Sequence, residues 1–192
     1  MKPLFILLLT FLLCWKVSLG QQHIYTGNGQ VTFSGAAPLD LIKGTSSEIT
    51  GSIDLETGKV YFEIPIKSFE FPNSLMHERF NDKYMKSNRH PKAIFKGQLI
   101  NFSQNSKAVT VNGTLLVHGV AKRRSIKGTL VRHGNGFILQ SLFVVNTKDH
   151  HIDSPKLTNG FMAENINVDL RLQLISDIGP AQVVMLNKPT SK

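Results

Sequence analysis

The sequence predicts an all-β fold: about eight antiparallel strands with one short helical insertion, arranged as an up-and-down barrel or as a sandwich. Three observations predict it. Val60, Phe62, Ile64 and Ile66 alternate with Tyr61, Glu63, Pro65 and Lys67, and Ile166, Val168, Leu170, Leu172 and Leu174 alternate with Asn165, Asn167, Asp169, Arg171 and Gln173. A period of two is what a strand with one buried face requires. Glycine-bearing turns separate such runs, most clearly at His133-Gly134-Asn135-Gly136. Between the runs lies no long helical pattern of the kind that crossovers between parallel strands need.

Residues 1–20 read as an export leader. Lys2 gives a positive start, and Leu4 to Trp15 is an apolar run of leader length, short for a bilayer span. Ser18-Leu19-Gly20 puts small residues where a signal peptidase reads, so cleavage is expected after Gly20. A lipoprotein would need a small residue before Cys14, where Leu13 stands, and Lys16 interrupts the run that an uncleaved anchor would use. Cys14 is the only cysteine, so the rest of the chain has no disulfide and depends on its core. About 172 residues suffice for one domain, which at that size buries roughly 70% of its unfolded surface.

The elements follow in order. Ile49, Gly51, Ile53 and Leu55 mark a strand that turns at Glu56-Thr57-Gly58-Lys59, with Gly58 at positive φ, into the strand from Val60. Pro65 lacks an N–H, so that strand is at an edge, bulged or near its end. Asn73 or Ser74 caps a helix beginning near Leu75. Met76, Phe80 and Tyr84 recur every four residues and form the face laid on the sheet, with His77, Glu78, Lys83 and Lys86 toward water. Pro91 ends the helical segment, and a strand follows. Val109, Val111, Leu115 and Val117 mark one strand, Ile126 and Leu130 the next, and Phe137, Leu139, Ser141, Phe143 and Val145 another. The domain is expected over residues 21–175, with residues 176–192 a C-terminal tail.

Charge and motifs exclude several chemistries. Without Lys2 and Lys16, 20 basic residues face 13 acidic ones, a net charge of +7. A solvated basic surface is the plain reading, and peripheral contact with an anionic membrane the functional one. Lys122-Arg123-Arg124, the densest basic cluster, has no interleaved aromatics to stack on bases, which argues against nucleic acid. No Gly-x-Ser-x-Gly elbow, glycine-rich phosphate loop or placed carboxylate pair supports catalysis, and no cofactor is implied. His150-His151-Ile152-Asp153 offers ligand-type side chains, but its spacing matches no standard metal site, and a polar loop is the simpler reading. His77 and His90 read as surface polar groups. What remains is the inward apolar face. A barrel of about eight strands is just wide enough to be filled by side chains or to hold one small ligand.

Two runs narrow these alternatives. Met76 to Gly97 is a short helix, a polar turn and then Pro91-x-x-x-Phe95-x-Gly97; Asn112 to Arg124 contains Gly113-x-Leu115-x-Val117-x-Gly119-Val120-x-Lys122. In both, the chain resembles the YceI-like family, and the resemblance extends over roughly Tyr25 to Ile175. It implies a closed, lipocalin-like barrel, an exported and typically periplasmic protein, and an isoprenoid or other amphiphile held inside. Phe62, Ile64, Phe95, Leu115, Val117, Phe143 and Leu170 would then line the wall. Met76, Phe80 and Tyr84 would form a lid or rim, with the Tyr84 hydroxyl available to a head group. Phe69-Glu70-Phe71-Pro72 departs from the family pattern and would reshape the entrance.

The reading that follows is a non-enzymatic carrier of an isoprenoid, quinone-like or fatty-acyl amphiphile, whose partners are that small molecule and, through the basic surface, a membrane touched peripherally. The alternative is a filled barrel acting through its surface as an interaction or stress-response module. A metal-assisted hydrolase using His150, His151 and Asp153 is the third and weakest reading.

Overall fold

A computed structural model describes residues 24–36, 41–100, 102–103, 107–152 and 163–176. The leader, the tail beyond Ser176 and Asp153 lie outside the described residues. Eight strands run β1 (Ile24–Ala36), β2 (Leu41–Asp54), β3 (Lys59–Pro65), β4 (Lys92–Ile100), β5 (Ala108–Val117), β6 (Val120–His133), β7 (Gly136–Asn146) and β8 (Asn165–Ser176). Each pairs antiparallel with its neighbour in sequence, and β8 returns to β1 with a register from Tyr25↔Ser176 to Ser34↔Asn167. The sheet is thus a closed up-and-down barrel rather than a sandwich. Pro65 is the last residue of β3, where its missing N–H interrupts no further ladder.

The two ends of the barrel differ. The lower end carries the tight β2–β3 and β6–β7 turns; the upper end carries the β3–β4 insertion, the β5–β6 turn and the β7–β8 connection. Inward side chains fill the lower half. Leu172 and Leu174 are 0% exposed, and Ile53, Val60, Leu99, Leu130 and Phe137 are buried with them. Tyr25 closes this end edge-on against Phe137, ring centroids 4.9 Å apart. At the upper end His118 (φ 50) and Gly119 (φ 76) make a turn with two positive φ values, the form that matches the twist of a two-residue hairpin. Gly119 also has no room for a side chain, since a Cβ there would lie 2.7 Å from the His90 ring.

β6 and β7 pair over only part of their length, from Thr129↔Gln140 to His133↔Gly136. Above that stretch side chains take over. The Ser141 hydroxyl donates to the Lys127 carbonyl at 2.7 Å, and the Arg124 guanidinium donates to the Val144 carbonyl at 2.9 Å. Leu142, beside this seam, is 76% exposed.

The helical insertion is shorter than the four-residue spacing suggested. Helix α1 spans Ser74–Arg79, capped by Asn73, whose side chain accepts from the Leu75 and Met76 N–H groups. A π-helical turn over Phe80–Tyr84 follows, closed by Met85 N–H to the Phe80 carbonyl at 2.8 Å. The Asn81 amide donates to the His77 carbonyl at 3.0 Å, and Lys86 at φ 46 ends the segment. The insertion is tied to β2 by Thr45 N–H to Glu70 O (3.1 Å), Glu70 N–H to Thr45 O (2.8 Å) and a Ser46–Ser68 hydroxyl contact (2.6 Å).

Closure brings β1 and β8 very near each other. A Cβ on Gly27 would sit 1.8 Å from the Gln173 carbonyl oxygen, a backbone atom that cannot swing away. Gly27→Ala is therefore expected to cost about 1–3 kcal/mol through forced strand separation, read as a lower urea midpoint at unchanged slope. Unchanged stability would show that the seam has slack.

Candidate functional site

The upper half of the barrel is hollow. Beneath the insertion lies an apolar cavity of about 380 Å³, within the usual range for a small-molecule site. A smaller cavity of about 80 Å³ continues below it toward mid-barrel. Ile64, Ala93, Leu115 and Phe143 line both and form the neck between them. Ile49, Val109, Val111, Leu139 and Leu170 line the lower cavity, beneath which the filled half of the barrel begins. The apolar space thus runs from the upper end down to mid-barrel.

Its roof is a cluster of phenylalanines. The Phe33 ring stacks on Phe80 at 5.3 Å and meets Phe69 at 5.1 Å and Phe71 at 5.9 Å; Phe80 in turn meets Phe69 at 5.6 Å and Phe71 at 4.9 Å. Aromatic pairs of this kind contribute about 0.5–1.5 kcal/mol each beyond burial. These contacts join the insertion to β1 through Phe33. Phe69 and Phe71, the departure noted in the sequence, both line the large cavity.

The ten residues read from the sequence fall at two heights. Met76, Phe80, Tyr84 and Val117 line the large cavity, Phe62, Phe95 and Leu170 the small one, and Ile64, Leu115 and Phe143 both. Sequence reasoning missed Val31, Phe33, Ile66, Met85, Val145 and Ile152, which also line the large cavity. Val145 carried a usable signal, its even offset from Phe143. Arg79 was missed as well, because a basic residue at the end of an exposed helix gives no sign of facing a pocket. Asn73, Arg79, Tyr84 and Thr147 are the polar residues of the large cavity, and among the described residues no carboxylate lines either space.

The histidines depart from their expected surface roles. His77 does not face water freely: its Nδ1 donates to the Phe69 carbonyl at 3.0 Å, and its Nε2 accepts from the Asn81 amide at 3.1 Å. It thereby joins α1 to the phenylalanine roof. His90 is half-buried, its ring 4.6 Å from that of His118. His150 is 0% exposed rather than part of a polar loop, and its Nδ1 donates to the Val120 carbonyl at 3.0 Å. His118 Nδ1 donates to the His150 carbonyl at 3.2 Å. Nε2 of both His118 and His150 is buried without a hydrogen-bond partner among the described residues. His151 is exposed at φ 53, so the two neighbours diverge, and among the described residues no three His, Cys, Asp or Glu side chains are placed to hold a metal ion. The three-histidine cluster has a structural consequence. It fixes the segment in which Ile152 N–H and His150 N–H bond to the Thr147 carbonyl, and Thr147 and Ile152 are cavity wall.

The YceI-like domain model matches residues 23–174. Among solved structures, Burkholderia cenocepacia BcnA superposes with a TM-score of 0.65 at 12% identity, covering 77% of this chain and 95% of its own. A polyisoprenoid binding domain from Saccharophagus degradans, implicated in plant cell wall breakdown, gives 0.69 at 14% identity, covering 81% and 99%. The Campylobacter jejuni YCEI protein gives 0.56 at 15% identity, covering 69% and 83%. These similarities establish the shared barrel. No curated protein sequence matches the chain.

Acid should loosen the upper wall. Burial, reinforced by the Arg124 charge, holds His150 below the ordinary histidine range; burial and then the His118 ring hold His90 below it too. The unfolded chain takes up these protons near pH 6.5, whereas the folded chain resists them. Stability is thus complete above that pH and falls as pH drops toward the lowered folded values. Urea midpoints measured from about pH 7.5 to about pH 5 are expected to decline, and His150→Gln to flatten the decline. A flat wild-type profile would contradict the assignment.

Proposed function

This chain belongs to the YceI-like domain family, and from that premise we propose that it is a carrier which holds the tail of an isoprenoid, quinone-like or fatty-acyl amphiphile inside its barrel. The observation that carries the proposal is the apolar cavity beneath the phenylalanine roof. An aliphatic tail gains about 0.8 kcal/mol per buried CH₂, which requires apolarity and room but no particular side chain. The similarity to a polyisoprenoid binding domain supports the same reading. The leader expected over residues 1–20 supports export to the periplasm or beyond, where such a carrier would move a water-insoluble molecule. In this reading Phe62, Ile64, Phe95, Leu115, Val117, Phe143 and Leu170 contact the tail, Met76, Phe80 and Tyr84 cover it, and no residue performs catalysis.

Native mass spectrometry with lipid extraction tests this on protein purified without detergent. A stoichiometric apolar adduct, or one formed on incubation with isoprenoid quinones and fatty acids, is the expected result. Ala93→Phe narrows the neck from a position that lines both cavities. It should weaken capture of a long-chain ligand about tenfold or more while circular dichroism stays that of the barrel. A mass that remains free of ligand under all these conditions would overturn the carrier reading and favour a barrel acting through its surface.

A further inference from the structure

Resting on the carrier reading, we infer that the cargo has an anionic head group, a carboxylate or a phosphate monoester, received at the mouth of the cavity by Arg79 with Tyr84 as second donor. Two of the four polar side chains of the large cavity already have partners. Asn73 is committed to α1, its side-chain oxygen accepting from Leu75 N–H at 2.8 Å and Met76 N–H at 3.3 Å. The Thr147 hydroxyl donates to the Glu164 carbonyl at 3.2 Å. Arg79 and Tyr84 are left, and neither has a hydrogen-bond or ion-pair partner among the described residues.

Their placement is a product of the local fold. Arg79 is the last residue of α1 and Tyr84 the last of the π-helical turn, five residues on. The wider turn lets both line the same cavity. Turns of this type recur at functional sites.

The chemistry of the pair is selective. A guanidinium and a phenol both donate, and together they suit a group with several acceptor oxygens. The guanidinium binds such a group in a forked geometry when it is a carboxylate or phosphate. A cationic amine would be repelled, with no carboxylate in the lining to offset the charge. A quinone carbonyl or an alcohol would accept one hydrogen bond and leave the positive charge unmatched. The plain alternative is that Arg79 only lays its aliphatic stem along the rim beside Leu75 and Met76, with its head in water. Arg79→Met separates the two, because it keeps the stem and removes the charge.

The experiment is displacement of a neutral fluorescent apolar probe from the purified protein by palmitate, hexadecyl phosphate and hexadecanol, which share one tail. At low salt the two anions are expected to bind about tenfold or more tighter than the alcohol, the worth of one charge-assisted hydrogen bond. Added salt should shrink the difference, since Arg79 is exposed. Arg79→Met should bring both anions down to the level of the alcohol and leave the alcohol unchanged, and Tyr84→Phe should produce a smaller loss. The ranking of phosphate against carboxylate then identifies the head group. An alcohol that binds as well as the anions, or an anion advantage that survives Arg79→Met, would overturn the head-group assignment while leaving the carrier reading intact. If none of the three displaces the probe and none binds directly, the carrier reading itself fails, and the head-group assignment with it.

Discussion

Closure of β8 onto β1 is the constraint on which the rest of this molecule depends. Once the ring of eight strands is complete, neither β1 nor β8 is left as an exposed edge. Strand number then limits the interior to a bore that side chains can just fill. Whether a given level is solid or hollow is decided by which residues point inward there. Ile53 of β2 and Leu172 and Leu174 of β8, with Phe137 and Tyr25, fill the lower levels. Higher up, small or withdrawn side chains such as Ala93 leave the bore open.

The insertion between β3 and β4 completes the upper half without filling it. Its phenylalanines pack on one another and on Phe33 of β1, so they cap the bore instead of plugging it. Polar contacts hold the cap at defined points: the Thr45–Glu70 backbone pair, the Ser46–Ser68 hydroxyls and the doubly bonded His77 ring. On the opposite rim the buried imidazole of His150 fixes the connection after β7. The apolar space therefore persists between two anchored rims.

Much of this architecture was legible in the sequence, and the parts that were not share a physical cause. Strands with one wet and one dry face announced themselves, as β3 and β8 did, and so did the glycine turns and a helix cap at Asn73 or Ser74, which the structure places on Asn73. β1 gave little sign. It is rich in glycine, threonine and polar residues, and only a few side chains such as Val31 and Phe33 contribute to its apolar face. The upper part of β6 was also obscure, because Lys122 and Arg124 stand opposite Leu115 and Gly113 where an apolar residue would be expected. Alternation identified the inward side chains but not their height, since height depends on register between strands. Hence Phe62, Phe95 and Leu170 proved to line the lower space, not the upper. The sealed His150 depends on a tertiary partner, the Val120 carbonyl thirty residues away, which local sequence does not encode.

The solid lower half separates folding from occupancy. Its core is packed by the chain's own side chains, so a guest held in the upper half would not be needed to complete it. A guest adds RT ln(1 + [L]/Kd) to a structure that already stands, and its departure subtracts no more than that. A carrier of this build would keep β1 and β8 joined when emptied, and would not shed loose strands that adhere to one another. Repeated cycles of filling and emptying are open to such a molecule without passage through an unfolded state.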